Sequence, residues 1–320
     1  MKSHSVNSSG ERFDLYLINL LPDISRSKIQ SLIKSNQILI NGKSSKSSYI
    51  LKGSEIISYE EGSILVDDNK DNSVLEEDIK LDILYEDENI IVVNKQSGLV
   101  VHPGAGNWTG TLLNGLISKI DSKSFKSNPG IVHRLDKETS GVMIVSKNHS
   151  AHNFISKQFE MREVRKVYNA LVWGRIEGNG IIEGNIIRNS RNRKIFTITD
   201  GEGRYSKTSY KSLDTFGPFS LIELYPETGR THQIRVHMKS VGHPIVSDVA
   251  YSGGDFMIKS FHIKYLYSIK SVLKLINRVA LHASSIEFVN PTTMEREKYS
   301  SPLSDDMHSA IKFLNNNELL

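Results

Sequence analysis

Residues 130–148, GIVHRLDKETSGVMIVSKN, set His133, Arg134, Asp136, Lys137 and Glu138 between two apolar runs. Short apolar runs rich in β-branched residues and bounded by glycine read as buried strands. The pattern therefore predicts an ionisable hinge at the mouth of a sheet. A carboxylate held there could attack carbon or move a proton. Taken alone, Arg134 and Asp136 amount to a loop ion pair, worth about 0–1 kcal/mol when exposed. Two further stretches add chemistry-bearing side chains. RKVYNALVWG puts Tyr168 on a predicted strand, where a core tyrosine is the plain reading. YPETGRTHQIRVHMKSVGHPI puts Arg235 on a predicted helix that begins after a Gly-Arg-Thr turn.

Other motifs lead nowhere. GAGNWTG, residues 104–110, lies between a predicted strand and helix. Its glycines are spaced one residue too far for a dinucleotide loop, and no βαβ unit follows. GKSS at Gly42 lacks the upstream glycine of a phosphate loop. The eleven histidines include no H-E-x-x-H, and His232 and His237 stand five apart, which splays them around a helix. They are expected to be structural or RNA-facing, and no metal site is expected. With no cysteine, disulfides, thiolate nucleophiles and Cys-ligated zinc are excluded. A hydrolase built on His133 and Asp136 would need a serine or cysteine in a recognisable turn, and none is found.

The elements that must position these groups fall into two domains. In 320 residues there is room for a large domain and a small one, and 38% hydrophobic with 24% charged residues is an ordinary soluble composition. The beginning, MKSHSVNSSGERF, has no apolar signal core, and no apolar run approaches membrane-spanning length. A cytoplasmic location is expected, so the sequons NSS, NWT and NHS are chance matches. Net charge is +4, and its distribution is uneven. Residues 1–59 hold eight Lys and Arg against four acids, whereas residues 60–78 hold eight acids against Lys70 alone. That reversal marks a linker, with domains expected at 10–75 and 81–320.

The first domain reads as small and α/β. Helix RFDLYLINLLP stops at Pro22, Ser25 can cap helix RSKIQSLIKSN, and Asn41-Gly42 signals a hairpin turn after QILI. Arg26, Lys28, Lys34, Lys43 and Lys46 fall on the solvated side. Charge alone leaves RNA binding and simple solubility open. The second domain opens with two buried-looking strands in LDILYEDENIIVVNKQSGLVVHPG and a helix, GTLLNGLISKI. A helix capped by Ser150 follows the ionisable hinge, then a run of strands, a helix capped by Thr231 and ending at Gly242, a late strand VALHASSIEFVNP and a closing helix. This order fits an α+β fold on a mainly antiparallel, mixed sheet. There is no internal repeat.

Residues of about 10–60 resemble the small RNA-binding domain named for the fourth protein of the small ribosomal subunit, a module that docks a basic helix face on structured RNA. HRLDKETSG, RKVYNALV and TGRTHQIRVH together resemble the RNA pseudouridine synthases of the RluA/RluD type, a likeness running from about Arg12 to Pro302. YEDENIIVVNK and SGLVVHPG fit as well. Gln96 stands where that family has proline, and Ser247, Val249 and Ala250 where it has Gly, Pro and Leu. The resemblance implies that Asp136 meets the ribose, by covalent bond or by proton transfer, with Arg235 holding it ionised. It further implies that Tyr168 stacks on the uracil and can carry a proton, and that Ile234 packs on the base. Arg134 would fill the space left by a flipped uridine. No cofactor is implied, because no atoms enter or leave. The expected partner is RNA, large-subunit ribosomal RNA before transfer RNA, free or in a ribosomal precursor particle, with no membrane and the chain a monomer. A ribosome-assembly factor without catalysis is the rival, but binding alone would not demand Asp136, Tyr168 and Arg235 together.

Overall fold

Phe13, Leu17, Ile29, Leu32 and Ile33 recur at helical spacing and are all buried. They build α1 (Phe13–Leu20) and α2 (Arg26–Lys34) in a computed structural model of the chain. It describes residues 2–7, 9–21, 24, 26–60, 74–104, 106–122, 125 and 130–317, without the side chains of residues 26 and 27. The chain divides into two compact units, Met1–Ser73 and Val74–Leu320. In the first, β1 (Lys2–Ser5), β2 (Ser9–Arg12), β3 (Ile38–Ile40), β4 (Ile50–Lys52) and β5 (Ile56–Tyr59) accompany the helices and share a core with them. β5 pairs with β1 and β3, and β2 with β4, all antiparallel. The turn at Asn41-Gly42 forms, with φ of 50° and 71°, but it closes only one bridge, Ile40 to Lys43. The polar stretch that follows has no β-branched residues to build a second arm, so β3 pairs with β5 instead. Pro22 and Ser25 lie outside the described residues, as does most of the acidic stretch before residue 74.

The second unit is organised by a ten-stranded sheet. Its strands are β6 (Asp82–Glu86), β7 (Ile90–Lys95), β8 (Ser140–Ser146), β9 (Arg165–Trp173), β10 (Asn179–Arg188), β11 (Phe196–Thr199), β12 (Arg204–Phe216), β13 (Phe219–Pro226), β14 (Leu281–Val289) and β15 (Arg296–Ser300). The order is β11-β10-β12-β13-β9-β14-β8-β7-β6, with β15 also on β14. Every pairing is antiparallel except β8 with β14. The sheet is thus mixed and mainly antiparallel, and the class is α+β as expected. Helices α3 (Leu112–Leu116), α4 (His149–Glu160), α5 (Gln233–Ser240), α6 (Leu266–Leu275) and α7 (Asp305–Asn316) cover it. No helix among the described residues is long and apolar enough to cross a membrane.

Period-two alternation puts both faces of β7 and β8 in core. Ile91, Val93, Met143 and Val145 pack with Leu112, Leu113 and Leu116 of α3. Ile90, Val92, Val142 and Ile144 pack on the other side with Ile155 of α4. A third core joins Trp173 and Phe219 to Met238 of α5, Val272 of α6 and Met307 of α7. Each fully buried aliphatic side chain there contributes about 1.5–3 kcal/mol.

Four local expectations need correction. GIV makes no strand, only a bridge from Ile131 to Val145 on the edge of β8 away from β7, because the next N–H on that edge, of Ile144, is taken by the His133 ring and not by a backbone carbonyl. β6 is an edge strand and largely exposed, not buried. Asn148, not Ser150, caps α4, its side chain accepting from the Ala151 N–H at 2.9 Å. Thr231 does not cap α5. The helix begins at Gln233, whose side-chain oxygen accepts from the Thr228 hydroxyl at 2.7 Å and the Arg230 N–H at 3.0 Å.

Candidate active site

The loop from Gly130 to β8 is tied down by its backbone. Gly130 has φ 71°, and a Cβ there would lie 2.5 Å from the Ser146 carbonyl, so only glycine permits this approach. The Gly130 carbonyl accepts from both the N–H (2.9 Å) and hydroxyl (3.1 Å) of Ser146. His133 turns inward: its Nε2 accepts from the Ile144 N–H at 2.9 Å, and its ring stacks on Phe159. Burial pushes its pKa down to about 3, so it is neutral. Lys95, buried beneath the loop, donates from Nζ to the carbonyls of Gln96 and Leu99 at 2.9 Å and of Lys137 at 3.2 Å. Arg278, paired with Asp306, donates to the Glu138 carbonyl at 3.1 Å.

This scaffold sorts the five ionisable side chains of the hinge. His133 is structural, while Lys137 and Glu138 are exposed. Arg134 is exposed and has no hydrogen-bond or ion-pair partner among the described residues. Asp136 lines a cleft of about 590 Å³ with Tyr168, Ile234 and Arg235. The partner of Asp136 is therefore not Arg134. Arg235 donates from Nη1 to Asp136 Oδ2 at 3.2 Å. A second cavity of about 550 Å³, lined by residues 100–104, lies across Arg134.

Arg235 also forks onto Asp248, Nε to Oδ2 at 2.7 Å and Nη2 to Oδ1 at 2.8 Å. Burial alone would lower the Arg235 pKa, but the hydrogen bonds and charges of Asp248, then Asp136, raise it above the ordinary value. Its guanidinium lies 4.9 Å from the centre of the Tyr251 ring. A charge fixed on two carboxylates is an orienting device, since the fork allows one geometry. Tyr168, on β9 opposite Ala283 of β14, has its pKa raised first by burial and then by the Asp136 charge. Its hydroxyl keeps its proton at neutral pH. Ile234 is 7% exposed, showing a small apolar face to the cleft. Lys166 lines the same wall, and burial lowers its pKa to about 8. Among the described residues no group of three or more His, Cys, Asp or Glu could hold a metal.

His232 and His237, expected to splay apart as structural or RNA-facing groups, do stand apart. His237 is fully buried with Nε2 2.9 Å from the Ser206 hydroxyl. His232 stands with Nε2 3.9 Å from Asp136 Oδ2. Asp248 was hidden among loop residues, where no periodicity places a side chain. Ser247 beside it adopts φ 63°, which suits the glycine of the family pattern, and its hydroxyl donates to the Ile276 carbonyl at 2.6 Å. In the first unit Lys34 and Lys43 are exposed and Lys28 is half-buried, while the Arg26 side chain lies outside the described residues.

A carboxylate in a cleft, forked arginine behind it and a neutral tyrosine beside it can carry out nucleophilic substitution or proton transfer. The family model described as RNA pseudouridylate synthase matches residues 89–240, and that of the S4 domain matches residues 11–57. An uncharacterized RNA pseudouridine synthase of Chlorobaculum parvum is 38% identical over 94% of this chain and 93% of its own. Ribosomal large subunit pseudouridine synthase D of Neisseria meningitidis serogroup B is 39% identical over 96% of this chain and 79% of its own. The solved structure of human RNA pseudouridylate synthase domain containing 4 is 25% identical with a TM-score of 0.57, covering 73% of this chain and 93% of that one. The chain belongs to the RNA pseudouridine synthases and is an isomerase.

Proposed function

We propose that this enzyme converts uridine to pseudouridine in large-subunit ribosomal RNA, with Asp136 as the group that meets the ribose. The observation that carries the reading is the Asp136 carboxylate in the cleft, 3.2 Å from an arginine itself fixed by a buried aspartate. Arg235 sets a fixed positive charge against the carboxylate from inside the cleft. In a covalent route a carboxylate oxygen gives its electron pair to C1′ while the C1′–N1 pair leaves with the uracil. The turned uracil then gives an electron pair from C5 to C1′, the carboxylate departs, and the proton lost from C5 is balanced by one gained at N1. In a proton-transfer route the same oxygen takes the C2′ proton as the C1′–N1 bond breaks, and returns it when C5 bonds to C1′. Neither route changes oxidation state or needs a cofactor.

Tyr168 and Ile234 hold the uracil from two sides. Tyr168, being neutral, can pass a proton when C5 loses its hydrogen. Arg134, exposed and without a partner, enters the space a flipped uridine leaves. The first unit docks on structured RNA through Lys28, Lys34, Lys43 and Arg26, and the enzyme works in the cytoplasm as a monomer, on free RNA or a ribosomal precursor particle. Names of relatives such as ribosomal large subunit pseudouridine synthase D support the RNA class.

Asp136→Asn tests the chemistry. The variant is expected to fold and bind RNA while losing conversion in a single-turnover assay. Turnover within about tenfold of the parent would assign the chemistry to another group. Mapping pseudouridine in total RNA from cells lacking the gene tests the substrate: lost sites in transfer RNA, with ribosomal RNA unchanged, would overturn the assignment.

A further inference from the structure

The geometry points to His232 as a positioning residue that, with Arg235, holds one oxygen of Asp136, Oδ2, and so leaves Oδ1 as the atom that meets the ribose. The inference rests on the reading of Asp136 just given, and adds which oxygen acts and what selects it. Arg235 Nη1 reaches Oδ2 at 3.2 Å and His232 Nε2 stands 3.9 Å from that same oxygen. Oδ1 has no hydrogen-bond partner among the described residues. Both groups come from the start of α5, His232 as the residue before it and Arg235 less than one turn on. His232 takes φ 56°, a left-handed conformation uncommon outside glycine, asparagine and aspartate. That backbone turns its ring back toward the catalytic loop.

The proton on His232 is placed by its neighbours. The Tyr251 hydroxyl accepts from the Phe196 N–H at 2.8 Å and lies 2.8 Å from His232 Nδ1. Tyr251 is fully buried, and Nδ1 is the one acceptor for its hydroxyl proton among the described residues. A neutral imidazole that accepts at Nδ1 carries its proton at Nε2. The N–H consequently faces Asp136 Oδ2. Phe196 and Tyr251 both meet the ring edge to face, at 81° and 88°, and keep it from turning over. Burial lowers the His232 pKa against the raising charge of Asp136, with Arg235 lowering, Asp248 raising and Arg134 lowering it further, so the ring is neutral at neutral pH. A separation of 3.9 Å is longer than a hydrogen bond, and such contacts in empty sites commonly tighten once substrate displaces water.

With Oδ2 held by two donors, the carboxylate cannot exchange its oxygens during the reaction. When the C1′–Oδ1 pair returns to the carboxylate, or when Oδ1 yields its proton, the same two donors receive the charge. The residue does not touch the sugar. It acts through Asp136.

The full-length protein and one structured RNA are enough to test this, by single-turnover rate and by the RNA concentration giving half the maximal rate. His232→Asn suits the positive φ but is too short to reach Asp136. It should slow the saturated rate roughly 10- to 100-fold, the worth of a hydrogen bond to a charged group, and leave half-saturation within about twofold. His232→Gln, whose amide can reach Oδ2, should recover most of that rate. Tyr251→Phe frees the ring proton to sit on either nitrogen and should give a smaller loss with half-saturation unchanged. His232→Asn at the parent rate would overturn the role, and so would His232→Gln as slow as His232→Asn, which would mean that ring packing matters and the N–H does not. If His232→Asn fails to melt cooperatively, Tyr251→Phe decides: parent rate there overturns the proton placement. Asp136→Asn measured alongside separates the two levels, since activity in that variant would sink the carboxylate reading itself.

Discussion

The first unit buries acids, whereas the second buries basic side chains together with the acid Asp248. In the first, the fully buried ionised groups among the described residues are acids, Asp14 and Glu55. Asp14 accepts from Arg12 and Gln30, and Glu55 from the N–H groups of Lys52, Gly53 and Ser54, so each fixes a local turn or helix start. Its cations Lys34, Lys43 and Lys46 point to solvent. In the second unit basic side chains go under as well: Arg235, Arg278 and Lys95, whose pKa burial pushes down to about 7, are buried and cross-link loops around the cleft. Exposed cations attract phosphate over a distance, are screened by salt and substitute for one another. Buried ones act through one geometry and leave a costly orphan when removed. On the proposed reading, binding and chemistry fall to different electrostatic regimes, and the contrast can be pressed experimentally.

The hardest push is Arg235→Ala. It strands Asp248, 1% exposed, without its forked partner and should destabilise the protein by about 3–5 kcal/mol in urea melts, with activity lost. Arg235→Lys keeps charge but not the fork and should fall between. A parent-like melt for the alanine variant would mean that water replaces the arginine.

Acid should find the second unit next. His237 and His282 are fully buried, and burial pushes each down to about 4. The unfolded chain takes these protons near 6.5 while the folded chain refuses them until about 4, so stability is full above 6.5 and is lost as pH falls through that window. The two together should cost about 2 kcal/mol between pH 6.5 and 5.5. The first unit's histidine, His4, is only half-buried. Urea midpoints that stay level over that range would contradict the account.

Arg134 tests whether an exposed cation at the cleft behaves like those of the first unit. Arg134→Ala should lose about tenfold more conversion on a structured RNA than on a short unstructured one, since part of the unstacking cost is no longer offset. Equal losses on both would make it an ordinary phosphate contact. The mildest change is Lys28, Lys34 and Lys43 to Gln together. RNA affinity should drop by under about 1 kcal/mol per lysine, and the slope of log Kd against log salt should flatten by roughly 2–3. An unchanged slope would take these lysines off the RNA.

Much of the fold was legible because it is written in periodicity. The short apolar runs of β7 and β8, the helical stripe of Phe13 and Leu17 and the late strand β14 all survive in the structure. Asp136, Tyr168 and Arg235 could be singled out because three ordered motifs together resemble a family; residue type and spacing alone left Asp136 in a loop ion pair and Tyr168 a core tyrosine. Asp248 and His232 could not, for their roles depend on a left-handed residue and a loop crossing, neither of which leaves a period in the sequence. GIV failed as a strand for a related reason: a short apolar run says that it is buried, not how far its backbone runs beside a neighbouring strand.

The way Lys95 and Arg278 grip the catalytic loop has a consequence for how this enzyme can change. Both hold carbonyl oxygens, of Lys137 and Glu138, and every amino acid supplies a carbonyl. The side chains of Lys137 and Glu138 are exposed and take no part in the anchoring. Substitutions there can alter charge and shape at the mouth of the cleft while the aspartate one residue earlier stays where it is. The rim is open to drift and selection for a different RNA, and the floor is insulated from both.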